Sequence, residues 1–203
     1  GQISGNGLDG VFAVNTANGT DLSVTVNDVA AARDGVFARN YGSGTNTVTV
    51  NGIVSGGTGA GIHTVTGVGG STVVSLNSGA DISSASGMAI VNDAGNSAIS
   101  VYAGAAVTGA VSLGGGADSL TFDGGSFATV TNLNGGTGQD KLTFRNVSGT
   151  VAGNSITGWE NIVVASGAGI SVSGALDTTT LTVDVGGTLG GTGTVYGDIT
   201  VNG

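Results

Sequence analysis

Two stretches of the chain, DGVFAVNTANGTDLSVTVN at residues 9–27 and DGVFARNYGSGTNTVTVNG at residues 34–52, carry nearly the same sequence. Two weaker copies follow them, AGIHTVTGVGGSTVVSLNS at 60–78 and SGMAIVNDAGNSAISVYAG at 86–104. The leading glycines of the four copies are 25 or 26 residues apart: Gly10, Gly35, Gly61 and Gly87. Self-similarity at such a period indicates a repeat architecture, in which each repeat is one structural unit.

The alternating strand at the end of each copy recurs down the chain after the rest of the repeat has decayed. Its second inward residues are Val26, Val50, Leu76, Val101, Phe122, Phe144, Val164 and Val183. The spacings between them are 24, 26, 25, 21, 22, 20 and 19 residues. A coil of this length cannot bury its apolar face alone, so neighbouring coils must stack on each other. We therefore predict an all-β protein, a single-stranded parallel β-helix (β-solenoid) of about nine coils of 19–26 residues.

Two other architectures fit the pattern less well. Leucine-rich repeats share the period but need several leucines at fixed offsets, and this chain has few. A β-sandwich would not show column-wise similarity at a nearly constant period. The glycines are expected at the corners of the coils, where a positive φ angle is required.

The composition agrees with a stack of short strands. There are 42 glycines, no proline and no cysteine among 203 residues, and 39% of the residues are hydrophobic while 8% are charged. Collagen and disorder are excluded by this balance, and disulfides and thiolate metal sites by the lack of cysteine. The net charge of −9 argues against nucleic acid and anionic lipid surfaces as partners. No apolar run approaches the roughly 20 residues of a membrane span.

Two columns of polar residues have structural interpretations. Asn27, Asn51 and Asn77 follow the inward strand residue in three consecutive coils, which predicts a hydrogen-bonded asparagine ladder. An outward column of hydroxyl residues, interrupted by Val163, runs along the same strand: Thr25, Thr49, Ser75, Ser100, Thr121, Thr143 and Thr182. β-branched residues suit an exposed strand, and a flat hydroxyl face could also match a sugar, another copy of the chain, or ice.

Phe12, Phe37 and His63 follow inward residues, so the alternation of a strand turns them outward. Arg39 and Tyr41 are close to them in the sequence. Exposed apolar clusters mark contact sites, and these five residues form the candidate binding surface. The alternative is that another segment covers them.

Aligning GADSLTF, GQDKLTF and WENIVV places Asp118, Asp140 and Glu160 at one position in three successive coils. Residues 135–143, GGTGQDKLT, match the calcium-binding RTX nonapeptide pattern, but those motifs recur every nine residues and these are 22 apart. Stacked carboxylates need hydrogen bonds, protonation or a bridging cation. The alternatives are therefore turn-capping acids, a calcium site, or the carboxylates of a carbohydrate-active enzyme.

The C-terminal text GGTLGGTGTVYGDITVNG at residues 186–203 resembles the end of the passenger domains of bacterial autotransporters, the type V secreted surface proteins. GWENIVVASGAGISVSGAL at 158–176 and GGGADSLTF at 114–122 are similar to other recurring passenger phrases. The resemblance implies a right-handed, pectin-lyase-like parallel β-helix, exported through an outer-membrane β-barrel. It carries over no functional residues, and nothing here matches the protease domain that some members of the family possess.

The residues and the resemblance together give one functional expectation. The chain is expected to be a non-enzymatic passenger fragment, with regular repeats over 1–104 and shorter coils over 105–203, cut from a longer protein. It would act at the bacterial cell surface, attached to or released from the outer membrane, in adhesion, self-aggregation and virulence, or as the stalk of an adhesin. Its expected partners are a host-cell surface, the extracellular matrix, a glycan or a second copy, and not nucleic acid or a bilayer. No cofactor is expected unless calcium binds, and the alternatives are a carbohydrate-active enzyme, a calcium-stabilised solenoid and an ice-binding solenoid.

Overall fold

The structure is a computed structural model that describes residues 2–5, 8–67 and 69–203. The strands of the first four coils are β1 (Gln2–Gly5), β2 (Val11–Asn15), β3 (Leu22–Val26), β4 (Asp28–Ala31), β5 (Val36–Asn40), β6 (Thr45–Val50), β7 (Ile53–Gly56), β8 (Ile62–Thr66), β9 (Ser71–Leu76), β10 (Asp81–Ser84), β11 (Met88–Asn92), β12 (Asn96–Tyr102) and β13 (Ala106–Ser112). The later strands are β14 (Gly115–Gly116), β15 (Ser119–Asp123), β16 (Ser126–Asn134), β17 (Thr137–Gly138), β18 (Lys141–Arg145), β19 (Ser148–Ala152), β20 (Ile156–Thr157), β21 (Asn161–Val164), β22 (Gly169–Ser173), β23 (Ala175–Val183), β24 (Thr188–Gly191) and β25 (Thr194–Val201).

One short 3₁₀ turn, Gly153–Ser155, separates β19 from β20. Within the described ranges, no helix has the length and hydropathy needed to cross a bilayer.

The strands stack on three sides of a rod. Side A contains β2, β5, β8 and β11; side B contains β3, β6, β9, β12, β15, β18, β21, β23 and β25; side C contains β1, β4, β7, β10 and β13. Among the described residues, every pairing between these strands is parallel. The fold prediction is confirmed: the chain is an all-β parallel solenoid of about nine turns.

The predicted inward column is in register along the whole of side B. Val26 pairs with Val50, Val50 with Leu76, and the series continues to Val183. Every member is buried, from 0% to 5% exposed. Strand alternation directs each second side chain inward, and coil stacking then places equivalent residues on top of one another. The core is therefore a continuous set of apolar columns along the rod.

The shortening of the period has a local cause at β13. The offset between paired residues is 25 at Asp81–Ala106 and 21 at Val91–Ser112. Strand β13 pairs with both β10 and β11, so it spans two sides that were separated by a corner in the coil before it. The coil that contains β13 lacks this corner and is four residues shorter. Two of its three sides therefore form one long straight side.

The corner glycines of the repeat serve a different purpose from the one predicted. Of the four, only Gly87 has a positive φ, 84°. A Cβ on Gly35 would lie 2.5 Å from the Gly61 carbonyl oxygen, and one on Gly61 would lie 2.7 Å from Ile82 Cγ2. The prediction of positive φ is wrong for Gly10, Gly35 and Gly61, where a Cβ would instead be too close to the backbone of the next coil and to a side chain of the same coil.

Candidate functional site

The outward aromatic residues of side A form one column, here called the aromatic column: Phe12, Phe37 and His63. The register pairs Phe12 with Phe37 and Phe37 with His63. The two phenylalanine rings are stacked, with centroids 5.4 Å apart and planes inclined by 6°. Phe12 is 64% exposed, so the column presents apolar surface to solvent.

His63 extends the column edge-on and connects it to charge. Its ring lies 5.0 Å from the Phe37 ring, at 89°. Nε2 lies 3.1 Å from Asp93 Oδ1, and Nδ1 lies 3.7 Å from Asp34 Oδ2. These contacts place the imidazole between a carboxylate of the preceding coil and one of the following coil.

Arg39 lies between two aromatic rings on the same face. Its guanidinium carbon is 4.8 Å from the Tyr41 ring centroid and 5.6 Å from the Phe37 centroid. The buried Nε has no hydrogen-bond partner within the described part of the chain. Contact with the rings therefore holds this side chain in place. The five predicted surface residues are brought together on one face of the rod.

Beside the aromatic column, the aspartate that opens each of the first two repeats joins two coils. Asp9 accepts from Arg33 Nε at 2.7 Å and from the Asp34 backbone N–H at 3.2 Å. Asp34 in turn accepts from the Ala60 N–H at 2.6 Å. The hydrogen bond from Arg33 is the main reason that the pKa of Asp9 lies below its ordinary value. The interpretation of the sequence missed this role, although the repeated Asp-Gly pair was a visible signal for it.

Asp118, Asp140 and Glu160, the carboxylate column, are also coil-to-coil acceptors. Asp118 accepts from the Ser97 N–H at 2.6 Å, Asp140 from the Asp118 N–H at 2.8 Å, and Glu160 from the Asp140 N–H at 2.7 Å. Asp118 and Asp140 are only 2% and 0% exposed. Two of these three acids face the interior, where a polysaccharide could not reach them.

Burial governs the protonation of this column. Desolvation raises the pKa of Asp118 and of Asp140, and the nearby charges of Asp118 and Glu160 raise that of Asp140 further. The second carboxylate oxygen of each aspartate has no hydrogen-bond partner among the described residues. No group of three or more metal-ligating side chains in residues 2–5, 8–67 and 69–203 could hold an ion. The arrangement is that of turn-capping acids, one of the three predicted alternatives.

The carboxylate column continues an interior polar column that sequence reasoning did not find. In register with it are Ser97, Thr72 and Asn46, all buried. Thr72 Oγ1 donates to Asn92 Oδ1 at 3.3 Å, and Asn46 Nδ2 donates to the Ala38 carbonyl at 2.9 Å. These residues lie at the start of the side B strands. Asn46 thus bonds to the backbone of β5, whereas Thr72 bonds to the Asn92 side chain and the Ser97 hydroxyl donates to Asp118 Oδ1 at 2.7 Å.

The other predicted columns lie as follows. Asn77 Nδ2 donates to Asn51 Oδ1 at 2.8 Å, whereas no hydrogen bond joins Asn27 to Asn51 in the described structure. The outward hydroxyl column of side B is in register from Thr25 to Thr182. Its exposure is uneven, since Thr25 is exposed and Thr143 is buried.

Comparison with known proteins adds no relative. No family model matches the chain, and neither a curated protein nor a solved structure does. The parallel solenoid of about nine turns is consistent with a pectin-lyase-like β-helix.

Proposed function

We propose that this chain is the adhesive β-helix of a bacterial autotransporter passenger, and that the aromatic column with Arg39 and Tyr41 is its contact surface. The observation that carries the proposal is the Phe12–Phe37 stack on the outer face of side A, in which Phe12 is 64% exposed and Phe37 is partly exposed. The solvent exposure of Phe12 contributes little to the fold, since folding gains from apolar area that leaves water. Exposed apolar side chains of this kind typically form a surface that a partner contacts.

The chemistry of this face suits a protein or glycan partner. Aromatic and arginine side chains are enriched at binding hot spots, where they supply large contact area with few rotatable bonds. Val14, 41% exposed, adds apolar area to the same strand as Phe12. Arg39 adds a positive charge to a chain of net charge −9. The face therefore combines exposed apolar area with a positive charge.

The setting proposed for this function is the bacterial surface. The resemblance to autotransporter passengers suggests export by type V secretion. A chain without cysteine and with few charges suits transport in an unfolded state, and coil-by-coil stacking outside the cell would then oppose backsliding. The proposed function is non-enzymatic, because Asp118 and Asp140, two of the three candidate acids, face the core.

The test uses the full-length protein displayed on cells. The Phe12→Ser/Phe37→Ser double variant is compared with Thr25→Ala/Thr49→Ala, which alters the outward face of side B. We expect cell aggregation or host-cell binding to fall at least about tenfold in the phenylalanine variant, the loss expected from removing a hot spot. Surface display and circular dichroism should be unchanged in both variants. Undiminished binding with normal display would overturn the proposal and leave the rod as a stalk.

A further inference from the structure

The backbone ladder of the rod is interrupted between β16 and β19. Strand β16 pairs with β13 on one side, but on the other side only Leu133 and Asn134 pair, with β20. Strand β19 pairs with β22 alone. Within the described residues, the facing edges of β16 (126–131) and β19 (148–152) are thus both unpaired.

The interruption is closed at both ends. At one end the Gly124 N–H donates to the Arg145 carbonyl at 3.0 Å. At the other, Leu133 pairs with Ile156. Between these points the strands separate around two cavities of about 510 Å³ and 230 Å³, each lined by residues of both strands. We call this opening the β16–β19 cleft, and its larger cavity has the size of a ligand pocket.

Phe127 keeps the two strands apart. Its ring packs inside the rod, 5.1 Å from the Phe144 ring and 5.6 Å from the Phe122 ring. It also extends toward the next coil, because a Cβ on Gly149 would lie only 2.8 Å from its Cζ atom. The glycine leaves room for the ring, and the ring occupies space that direct pairing of β16 with β19 would need.

The free backbone groups of β19 can be assigned from the pairing on its other side. The Val147 carbonyl accepts from the Gly169 N–H at 2.8 Å, so the backbone groups of Val147 face β22. In a parallel ladder, alternate residues bond to opposite neighbours. The N–H and C=O groups of Ser148 and Thr150 therefore point into the cleft.

The lining of the cleft is neutral. No residue that borders either cavity carries a titratable side chain. The nearest charges, Asp123 and Arg145, lie 3.7 Å apart and compensate each other. An occupant with a net charge would find no counter-charge there, whereas the N–H and C=O groups of a neutral backbone would find partners.

We propose that the β16–β19 cleft binds an extended, uncharged segment of a partner polypeptide by β-strand addition. The two facing edges offer the alternating donors and acceptors that an extended chain presents on its own two edges. The open edge of β19 is five residues long, which limits the paired segment to about five residues. Small side chains are required where the segment faces Phe127. This site is separate from the aromatic column and does not depend on the function proposed for that surface.

The probe is a fluorescein-labelled, acetylated and amidated peptide in which threonine alternates with alanine over seven residues. Its control is the same peptide N-methylated at every second amide, which removes the donors for one edge. Binding is measured by fluorescence anisotropy on the whole 203-residue chain, and amide hydrogen exchange locates the site. We expect the unmodified peptide to slow exchange at Ser148 and Thr150 and the methylated peptide to bind at least about tenfold more weakly, as for one or two lost hydrogen bonds.

The matched protein variants are Thr150→Pro and Thr150→Ala. Proline is tolerated on an unpaired strand edge and removes the N–H that points into the cleft, so it should weaken binding about tenfold, while alanine should leave it within about twofold. If Thr150→Pro does not fold, the methylated peptide still decides the question. Equal binding of both peptides would overturn the proposal. So would protection of Ser148 and Thr150 by neutral oligosaccharides but not by the peptide, or self-association that protects the same amides.

Discussion

The two halves of the rod use phenylalanine in opposite ways. In the half with 25–26-residue coils, Phe12 and Tyr41 are 64% and 47% exposed, and the core contains valine, isoleucine and leucine. In the half with shorter coils, Phe122, Phe144 and Trp159 are at most 1% exposed. Shorter coils supply fewer inward positions, so each inward side chain must be larger to reach the packing density of a protein core. Phenylalanine therefore fills the core in the half with shorter coils and forms an outer surface in the half with longer coils.

The largest expected effect tests this comparison directly. Phe144→Ala should destabilise the rod by about 3–5 kcal/mol, because it removes a buried ring and leaves a cavity beside Phe122 and Phe127. Phe12→Ala should cost less than about 1 kcal/mol, since that ring is mostly in water. Urea unfolding followed by circular dichroism measures both. Similar losses for the two variants would show that the aromatic column contributes to the core after all.

The next largest loss of stability is expected from a substitution at Gly109, in the long straight side formed by β13. Gly109 has φ of 117°, and a Cβ there would lie 2.5 Å from the Gly87 carbonyl oxygen. Gly109→Ala should therefore cost about 1–3 kcal/mol. Gly190→Ala is the matched control, because a Cβ at that position meets open space. Thermal unfolding of the two variants distinguishes them, and equal melting temperatures would contradict the role assigned to Gly109.

The contributions of Asp140 and Asp9, one in each half of the rod, to the pH dependence of stability should have opposite signs. Burial raises the pKa of Asp140 above its ordinary value of 3.8, so the folded state holds this proton more tightly than the unfolded chain. Stability is then greatest below 3.8 and falls as pH rises to the folded-state pKa. Asp140→Asn should remove the part of this decline that Asp140 contributes, while the raised pKa of Asp118 retains the rest. Unfolding free energies measured between pH 3 and pH 8 test it, and an unchanged slope in the variant would count against it.

The smallest expected effect comes from Asp9 in the other half. The hydrogen bond from Arg33 lowers its pKa below 3.8, so its stabilisation is present above that value and is lost as pH falls through the folded-state pKa. Asp9→Asn should lower the melting temperature slightly at pH 7 and leave it unchanged at the acid end of the range. Identical profiles for Asp9→Asn and Asp140→Asn would remove the contrast between the two halves.

Much of the fold could be predicted because a solenoid repeats its contacts. The inward residues from Val26 to Val183 share one spacing rule, and alternation fixes which way they point. The Phe12–Phe37–His63 column followed from the same rule. Prediction failed where a contact joins different parts of a coil, as at Gly35, where a Cβ would lie 2.6 Å from Val54 Cγ1 on another side of the same coil.

Two features of the candidate sites had no signal in the repeat. The polar column through Asn46, Thr72 and Ser97 involves residues of different types, so the similarity between copies does not reveal it. The β16–β19 cleft depends on how far the Phe127 ring extends beneath Gly149. Both depend on side-chain volume and on the path of the chain between strands, which periodicity does not encode.

The sequence by itself determined the coil length, the inward columns and the outward aromatic residues, because these follow from a repeat of 19–26 residues and from strand alternation. The tertiary structure decided whether the carboxylate column faces the core or the solvent. It also decided where the three-sided coil gains its long straight side and where the backbone ladder opens. The physical reason is that the period fixes neighbours along the rod axis, whereas the packing of unequal side chains across the coil fixes the distances between its sides.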